Sequence, residues 1–388
     1  MYQNKPAIVV VAYNRPRSLE RLLVSLSKAY YSVKNITLII SIDYAQNNKD
    51  VLQIAKDFSW NFGVKEVRYQ ENNLGLRKHV LQCGDLSIDY GSVIVLEDDL
   101  YVSPNFYDYT CQALDFSEGK KYLGGISLYK HEFNVCTYKN FRPITDGYDN
   151  WYFQFASSWG QAWSADHWRG FREWYSKDHK LTDNLAIPSY VRSWSEKSWL
   201  KYNTAYLIDE NLFFLYPKTS LTTNFSDVGT HVGDASTAFQ VPLLCANYVN
   251  YNFSDIEVSD SVYDAFFENL KIHKCLNVSE EHLTVDLYGH KEEYLGNLLL
   301  TSKVLKYKVE KSYGSFLKPI DANILFDISG SDLFLYDLKQ VGVNTKKSNN
   351  LKSIFYNIKY ISLKDSYQVF KYLSKKRLKY LAKKIFNI

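Results

Sequence analysis

The stretch Val93-Ile94-Val95-Leu96-Glu97-Asp98-Asp99-Leu100 decides the fold prediction. Its first four residues are apolar and mostly β-branched, which predicts a buried strand. Three carboxylates follow this strand directly, and ligands bind at the carboxyl ends of strands in an open α/β sheet. Three adjacent acids repel one another unless a cation or hydroxyl groups lie among them. The stretch therefore predicts either a ligand site or an acidic turn that merely ends a strand.

Strands and helices alternate along the residues before this stretch. The apolar pattern predicts strands over Ala7–Ala12, Ile36–Ile42 and Val64–Tyr69, and helices that begin at Pro16 and cover roughly Asp50–Phe58 and Leu76–Leu86. Four alternations with short links indicate a parallel sheet with right-handed crossovers. The first strand is followed by neither a G-x-G-x-x-G motif nor a P-loop, which disfavours a dinucleotide-binding dehydrogenase and a P-loop protein.

Length and composition narrow the class of protein. The 388 residues suit one large catalytic domain with an appendage, or two ordinary domains. A hydrophobic content of 46% and a charged content of 23% are typical of a soluble globular protein. The 5 cysteines lie far apart without C-x-x-C spacing, which disfavours a zinc site or a disulfide framework. With no signal peptide or membrane-spanning run in the sequence, we expect a cytoplasmic location.

Positive charge is concentrated in the last part of the chain. Residues 346–388 contain 11 Lys, one Arg and one Asp, a net charge of +11; the whole chain carries +4, so residues 1–345 carry 4 − 11 = −7. At helical spacing, one side of this segment is apolar and the opposite side is basic. The apolar side contains Phe370, Leu373, Leu378, Leu381, Ile385 and Ile388, and the basic side contains Lys371, Lys375, Lys376, Lys379 and Lys383. This pattern predicts a helix that lies on an anionic membrane surface. A terminal helix docked on the body is the alternative, and nucleic-acid binding is disfavoured because no RNA-binding signature accompanies the charge.

Four motifs together resemble one enzyme family. They are the strand exit Ala12-Tyr13-Asn14-Arg15-Pro16, the sequence Ser41-Ile42-Asp43, the pair Asn73 and Gly75, and Glu97-Asp98-Asp99-Leu100. Residues 6–235 resemble a GT-A glycosyltransferase, and are most similar to glycosyltransferase family 2 and to the N-acetylglucosaminyltransferase I family. The resemblance implies a Rossmann-like α/β fold with a mostly parallel central sheet, to which we add a C-terminal helical extension.

The resemblance also implies roles for individual residues in binding a UDP-sugar. Asp99 would hold Mn²⁺ or Mg²⁺, Arg15 would pair with the diphosphate, and Asp43 would accept from the uracil or the ribose. The remaining donor-binding candidates are Ala12, Tyr13, Asn14, Asn73, Glu97, Asp98, Trp159 and Gly160. His231 lies in a late Gly-rich loop that would close over the diphosphate and add a second metal ligand.

The catalytic base is less clearly marked. The family usually carries an Asp one or two residues before a Trp, but Lys197 and Ser198 precede Trp199 here, so Glu196 is the candidate base. Asp183 and Asp209 are the alternatives. Trp168, Phe171 and Trp174 fall at helical spacing, and we assign them to the core.

We therefore expect a bacterial, metal-dependent, inverting glycosyltransferase that acts on a saccharide or lipid-linked saccharide at the inner face of the cell membrane. The expected organisation is a catalytic domain over residues 1–240, an extension packed on it over 241–345, and a basic amphipathic tail over 346–388. Two other functions stay open. They are a sugar-1-phosphate nucleotidyltransferase, whose Gly-rich basic loop is missing after the first strand, and a non-catalytic saccharide-binding scaffold.

Overall fold

The structure is a computed structural model. It describes residues 2–177, 181, 185–225, 227, 239–346, 350–358 and 362–386, with side chains described in these ranges except at 350, 379, 380 and 383–386. Several sequence-based predictions lie outside the described residues or side chains, namely those for Asp183, His231, Lys379, Lys383, Ile385 and Ile388.

The amino-terminal part forms the predicted alternation of parallel strands and helices. Its elements are β1 (Ala7–Ala12), α1 (Pro16–Lys28), β2 (Leu38–Ile42), α2 (Lys49–Asp57), β3 (Lys65–Tyr69), α3 (Leu76–Tyr90) and β4 (Ser92–Glu97). The strands pair in the order β3-β2-β1-β4, all parallel, with Val11 aligned with both Ser41 and Glu97. This register brings the residues that follow β1, β2 and β4 to one edge of the sheet.

The chain continues through a second set of elements. They are β5 (Leu100–Val102), α4 (Phe106–Ser117), β6 (Leu123–Ser127), β7 (Phe133–Asn134), β8 (Lys139–Asn140), β9 (Asn150–Phe153), β10 (Gln161–Ser164), α5 (Ala165–Ser176), α6 (Ser189–Arg192), α7 (Trp199–Asp209), β11 (Phe213–Pro217), β12 (Thr222–Asn224) and β13 (Val262–Tyr263). In the described chain the central sheet has nine strands in the order β13-β9-β11-β6-β10-β4-β1-β2-β3, and most of its pairs are parallel. This arrangement confirms the predicted α/β class.

Both faces of the central sheet are covered at β1, β2 and β4, which explains why these strands are apolar almost throughout. Along β1, Ile8 and Val10 pack into one core layer, while Val9 and Val11 pack into the layer on the opposite face. The second layer also contains the three aromatic residues that the sequence assigned to the core, Trp168, Phe171 and Trp174. Strand β13 lies beyond residue 240 and pairs with β9, so the segment after that residue contributes an edge strand.

The extension contains more β-structure than the sequence indicated. Its elements are α8 (Ile272–Leu276), a 3₁₀ turn (Glu280–His282), β14 (Leu283–Asp286), β15 (Leu298–Thr301), β16 (Tyr307–Tyr313), α9 (Ala322–Leu325) and β17 (Leu333–Val341). The four strands form a sheet in the order β14-β15-β17-β16 with a small core of its own around Leu300 and Leu335.

Two helices end the described chain, α10 (Asn350–Asn357) and α11 (Leu363–Phe386). Helix α10 is bonded to the body: the Asn140 N–H donates to Asn357 Oδ1 at 3.0 Å, and the Tyr356 hydroxyl donates to the Leu317 carbonyl at 2.6 Å. Helix α11 instead exposes apolar side chains, with Leu363 at 89% and Phe370 at 68% exposure. Within the described ranges, no helix is long and apolar enough to span a bilayer.

Candidate functional site

An arginine bridges two of the three carboxylates at the carboxyl end of β4. The Arg15 Nη1 donates to Asp99 Oδ2 at 2.9 Å, and Nη2 of the same guanidinium pairs with Asp98 Oδ1. Arg15 immediately precedes α1, and its side chain reaches across the carboxyl edge of the parallel strands. The Asp98 N–H donates to the Val11 carbonyl at 3.1 Å, so the exits of β1 and β4 are held together. The sequence-predicted site residues Arg15, Asp98 and Asp99 therefore lie in direct contact.

Burial governs the protonation of this cluster. Burial raises the pKa of Glu97 to about 8, reinforced by the nearby charge of Asp99, although Arg15 and a hydrogen bond with Trp199 lower it. Burial likewise raises the pKa of Asp98 to about 6, and Arg15 counteracts this rise. Both shifts favour the protonated form, and the shift of Glu97 is the larger. A proton on Glu97 would relieve the repulsion expected among three adjacent acids.

Two carboxylate oxygens in the cluster lack a hydrogen-bond partner. Asp98 Oδ2 and Asp99 Oδ1 are both buried and unbonded. Leaving such an atom unsatisfied costs about 1–3 kcal/mol, more when it is charged. Oxygen donors of this kind suit a hard divalent cation or a ligand hydroxyl. The Asp98–Asp99 pair therefore fits the metal role that the sequence predicted for Asp99.

The protein alone does not complete a metal coordination shell in the part described. No group of three or more His, Cys, Asp and Glu side chains there is placed to hold a metal ion. Asp99 would hold the cation only together with oxygens supplied by water or by a bound diphosphate. The proposed second ligand, His231, lies outside the described residues. Metal binding thus stays a prediction that the unbonded oxygens support.

Asp43 follows β2 and ties two loops of the site together. Its carboxylate accepts the N–H groups of Tyr44 at 2.9 Å, Leu74 at 2.8 Å and Gly75 at 2.9 Å. The Asn73 Nδ2 donates to the Tyr44 carbonyl at 2.8 Å, so Asn73 lies beside the residue that follows Asp43. These bonds show a structural role for Asp43 and leave its role in binding the donor as a prediction.

Asn48 organises the same edge and was missed by sequence reasoning. Its Nδ2 donates to the carbonyls of Tyr13 at 2.7 Å and Asp43 at 2.8 Å, and its Oδ1 accepts from the Tyr69 hydroxyl at 2.7 Å. A single buried asparagine thus connects the exits of β1, β2 and β3. The sequence gives no signal for it beyond an asparagine just before a helix. Of the other donor candidates on this loop, Ala12 is buried, Tyr13 is partly exposed and Asn14 is exposed.

Trp159 and Gly160 are connected to the acid cluster indirectly, by a small two-stranded sheet. Strand β5, which begins one residue after Asp99, pairs with β12, and the Thr222 hydroxyl at the start of β12 donates to the Trp159 carbonyl. Gly160 has a φ of +97°, and a Cβ there would lie 2.8 Å from Thr222 Cγ2, so a larger residue does not fit. The Trp159 ring packs 4.7 Å from Tyr129, centroid to centroid. The Phe225 N–H donates to the Asp99 carbonyl at 3.1 Å, which brings the end of β12 to the cluster.

Glu196 lies apart from the acid cluster, in a pocket of about 900 Å³ between α3, α5 and α7. Its carboxylate accepts from Lys201 Nζ at 2.6 Å and from the Tyr202 hydroxyl. The hydrogen bond from Lys201 is the main cause of a lowered pKa for Glu196. The pocket is lined by Arg77, Arg169, Arg172, Glu173, Trp174, Tyr175, Ser176, Glu196 and Tyr202.

One tryptophan links this pocket to the cluster. Trp199, three residues after Glu196, lies close enough to Glu97 to lower the pKa of that carboxyl. The described contacts include none between Glu196 and Arg15, Asp98 or Asp99. Asp209, the alternative base, accepts from Trp174 Nε1 at 2.7 Å. The sequence singled out neither Trp199 nor Arg77 as a site residue, since both become relevant only through contacts between distant elements.

Comparison with known proteins gives partial matches to solved structures. No protein-family model matches the chain, and no curated protein sequence matches it. Similar structures include S. aureus TarS, with 15% identity, a TM-score of 0.35 and coverage of 56% of this chain and 36% of that one. TarS 1-349 in complex with UDP-GlcNAc shows 14% identity, a TM-score of 0.37 and coverage of 59% and 61%.

Two further matches are glycosyltransferases by name. Mouse xyloside xylosyltransferase 1 shows 13% identity, a TM-score of 0.32 and coverage of 54% of this chain and 83% of that one. The mannosyltransferase PcManGT from Pyrobaculum calidifontis, in complex with GDP-Man and Mn²⁺, shows 10% identity, a TM-score of 0.29 and coverage of 48% and 52%. The chain thus spans about a third of full-length TarS, and matches this partial establish neither a family nor an activity.

Proposed function

We propose that the protein is a metal-dependent, inverting glycosyltransferase that moves a sugar from a UDP-sugar to a saccharide acceptor. One observation carries the proposal. Two carboxylates, each with one buried and unbonded oxygen, lie beside an arginine at the carboxyl edge of four parallel strands. That combination suits a ligand which brings both anionic and hydroxyl oxygens, as a sugar nucleotide does. We further propose that it serves bacterial surface polysaccharide synthesis, with a saccharide or lipid-linked saccharide as acceptor.

Each candidate residue has a defined task in this reaction. Arg15 would bind the diphosphate, and Asp43, Asn73 and the loop after β1 would hold the nucleoside. Mn²⁺ or Mg²⁺ held at Asp99 would neutralise the charge that develops on the departing diphosphate.

The base would act on the acceptor. Glu196 would take the proton of the acceptor hydroxyl while that oxygen forms a bond to the anomeric carbon of the donor sugar. The bond from the anomeric carbon to the diphosphate breaks in the same displacement and UDP leaves, which inverts the configuration at that carbon.

A UDP-sugar panel tests the proposal against its two alternatives. We expect UDP release from one donor with added Mn²⁺ and an acceptor, and much less with EDTA. A nucleotidyltransferase would instead release pyrophosphate from a nucleoside triphosphate and a sugar phosphate. A non-catalytic scaffold would bind saccharide without turnover. Absence of UDP binding and of UDP release across the panel would contradict the proposal.

We also propose that helix α11 attaches the enzyme to an anionic membrane surface at the inner face of the cell membrane. Apolar side chains of α11 face solvent, and basic residues share the helix with them. Basic residues near an anionic leaflet contribute about 1 kcal/mol each, and exposed apolar side chains add burial among the headgroups. Residues 359–388 contain eight Lys, one Arg and one Asp, a net charge of +8.

Truncation tests the attachment. A cut after Ile358 removes α11 but keeps α10, which is bonded to the body. A cut after Asn344, at the start of the basic tail, would remove both helices and would test α11 less specifically. The full chain is expected to float with anionic liposomes and to detach as salt rises, since charges are screened over about 10 Å at 0.1 M salt. The truncated chain should stay with the soluble fraction and bind UDP normally. Equal flotation of the two chains, or flotation of neither, would show that α11 does not attach the protein to membranes.

A further inference from the structure

Arg15 satisfies only half of each carboxylate that it contacts. It donates to Asp98 Oδ1 and to Asp99 Oδ2, while Asp98 Oδ2 and Asp99 Oδ1 stay buried and unbonded. The guanidinium therefore supplies positive charge to the acids without filling all the acceptor positions. Without a ligand, the place where a divalent cation would be held is next to a cation that the protein itself provides.

We propose that Arg15 is an exchangeable counter-ion that makes a divalent cation and the donor diphosphate bind cooperatively. Before the donor binds, Arg15 partly neutralises Asp98 and Asp99 and opposes the entry of Mn²⁺ alone. The diphosphate provides new acceptors for the guanidinium, which then leaves part of the carboxylate surface to the cation. This inference rests on the proposed function and specifies how its donor site is filled.

The backbone holds the two acids in place more firmly than the arginine side chain is held. The Asp98 N–H bonds to the Val11 carbonyl, and the Asp99 carbonyl accepts from the Phe225 N–H, each at 3.1 Å. The Arg15 side chain is 23% exposed, against 3% for Asp98, and it has a long flexible stem. A change of partner is therefore expected to move Arg15 and not the acids.

Charge explains why the two ligands would help each other. A divalent cation that binds alone adjoins the Arg15 guanidinium, and like charges at such short range repel strongly when partly buried. A diphosphate that binds alone adds negative charge beside two carboxylates that Arg15 only partly neutralises. When both ligands bind, the diphosphate would attract both the guanidinium and the divalent cation, and these attractions would offset both repulsions. Each ligand must raise the affinity of the other by the same factor.

Binding of Mn²⁺ to the full chain, measured by electron paramagnetic resonance of free Mn²⁺ at pH 8, tests the inference. We expect wild type to bind Mn²⁺ weakly alone and at least ten times more tightly with UDP. Arg15→Gln should bind Mn²⁺ alone at least ten times more tightly than wild type does. UDP should then raise the Mn²⁺ affinity of this variant by a much smaller factor. Arg17→Gln, which removes an exposed arginine two residues away, should behave as wild type does.

A charge-conserving variant separates charge from folding. Arg15→Lys keeps the positive charge, so Mn²⁺ alone should still bind weakly to this variant. If Arg15→Gln does not fold, Arg15→Lys is the variant that tests the inference. The inference is overturned if Arg15→Gln binds Mn²⁺ alone no more tightly than wild type, or if Lys and Gln at this position tighten it equally. If wild type binds no UDP with or without Mn²⁺, the proposed function fails too. If both variants bind UDP normally and the coupling between Mn²⁺ and UDP is unchanged, the inference about Arg15 fails while the proposed function stands.

Discussion

Asp98 and Glu196 are both candidate site acids, yet their surroundings are opposite. The side chain of Asp98 is 3% exposed and leaves one oxygen unbonded. The side chain of Glu196 is 72% exposed, and its two oxygens are bonded to Lys201 and Tyr202. Burial raises the pKa of Asp98, whereas the Lys201 hydrogen bond lowers that of Glu196.

The difference teaches where to expect a ligand. A buried and unsatisfied acid destabilises the fold unless something binds it, so such an acid indicates a binding site. An exposed acid with two partners costs the fold little. The Asp98–Asp99 pair is therefore the firmer part of the candidate site, and Glu196 depends on the chemistry proposed for it.

The largest effect is expected from Asp99→Ala. The variant removes one unbonded oxygen and one partner of Arg15, so the diphosphate loses its bridge to a cation. Calorimetry with Mn²⁺ present should show UDP affinity reduced at least about a hundredfold, consistent with loss of a charged ligand position. Asp89→Ala removes an exposed acid from α3 and serves as control. Unchanged Mn²⁺-dependent UDP affinity in Asp99→Ala would remove the metal role from this residue.

Glu196→Gln tests the exposed acid. Glutamine keeps the size of the side chain but cannot take a proton, so transfer should fall about a hundredfold while donor affinity stays the same. The lowered pKa of Glu196 keeps it ionised at neutral pH, which a base requires. The matched control is Glu173→Gln, since Glu173 lines the same pocket. If transfer by Glu196→Gln stays near wild type, the base is another acid, and Asp209 and Asp183 are then the variants to make.

Local sequence patterns were enough to predict the amino-terminal elements. Strand β1 has the predicted bounds, Ala7–Ala12, and α1 begins at Pro16 as expected. These strands are buried on both faces, so their apolar runs are continuous and easily recognised. The acids after β4 were found for the same reason, since a run of charge after such a strand is conspicuous. The segment from Phe213 to Asn224 is by contrast divided into two strands, β11 and β12, because the chain bends at Lys218, Thr219 and Leu221.

Local sequence patterns could not predict the contacts across the site or the sheet of the extension. Asn48 and Trp199 act through partners that are far away in sequence, and a single polar or aromatic residue carries no sign of them. Strands β14 and β15 have only four residues each, and β16 is largely exposed. Their pairing depends on long-range contacts, which propensity alone does not specify.

A third acid sharpens the comparison, because Asp321 is as buried as Asp98 but has no guanidinium beside it. The Tyr263 hydroxyl donates to Asp321 Oδ2 at 3.0 Å, and Oδ1 is buried and unbonded. Burial raises the pKa of Asp321 to about 7, although the Tyr263 hydrogen bond lowers it. Asp98 is neutralised by Arg15, whereas Asp321 is neutralised by a proton. Its contribution to folding should therefore depend on pH.

The sign of that dependence follows from the direction of the pKa change. Below about pH 4 the carboxyl is protonated in both states, and its contribution is fully present. Between pH 4 and pH 7 the unfolded chain releases the proton while the folded chain keeps it, so stability falls as pH rises. From pH 5 to pH 7 the loss due to Asp321 is about 2 kcal/mol. Asp321→Asn is always neutral and should lack this part of the loss.

Thermal unfolding between pH 5 and pH 8 checks the prediction. The melting temperature of Asp321→Asn should fall less with pH than that of wild type, and Asp327→Asn, an exposed acid in the same segment, should match wild type. Some slope should remain in Asp321→Asn, because burial also raises the pKa of Glu268. Parallel slopes for Asp321→Asn and wild type would mean that Asp321 is ionised in the folded protein. Burial without a cation would then not suffice to keep an acid protonated here, and the contrast drawn between Asp321 and Asp98 would fail.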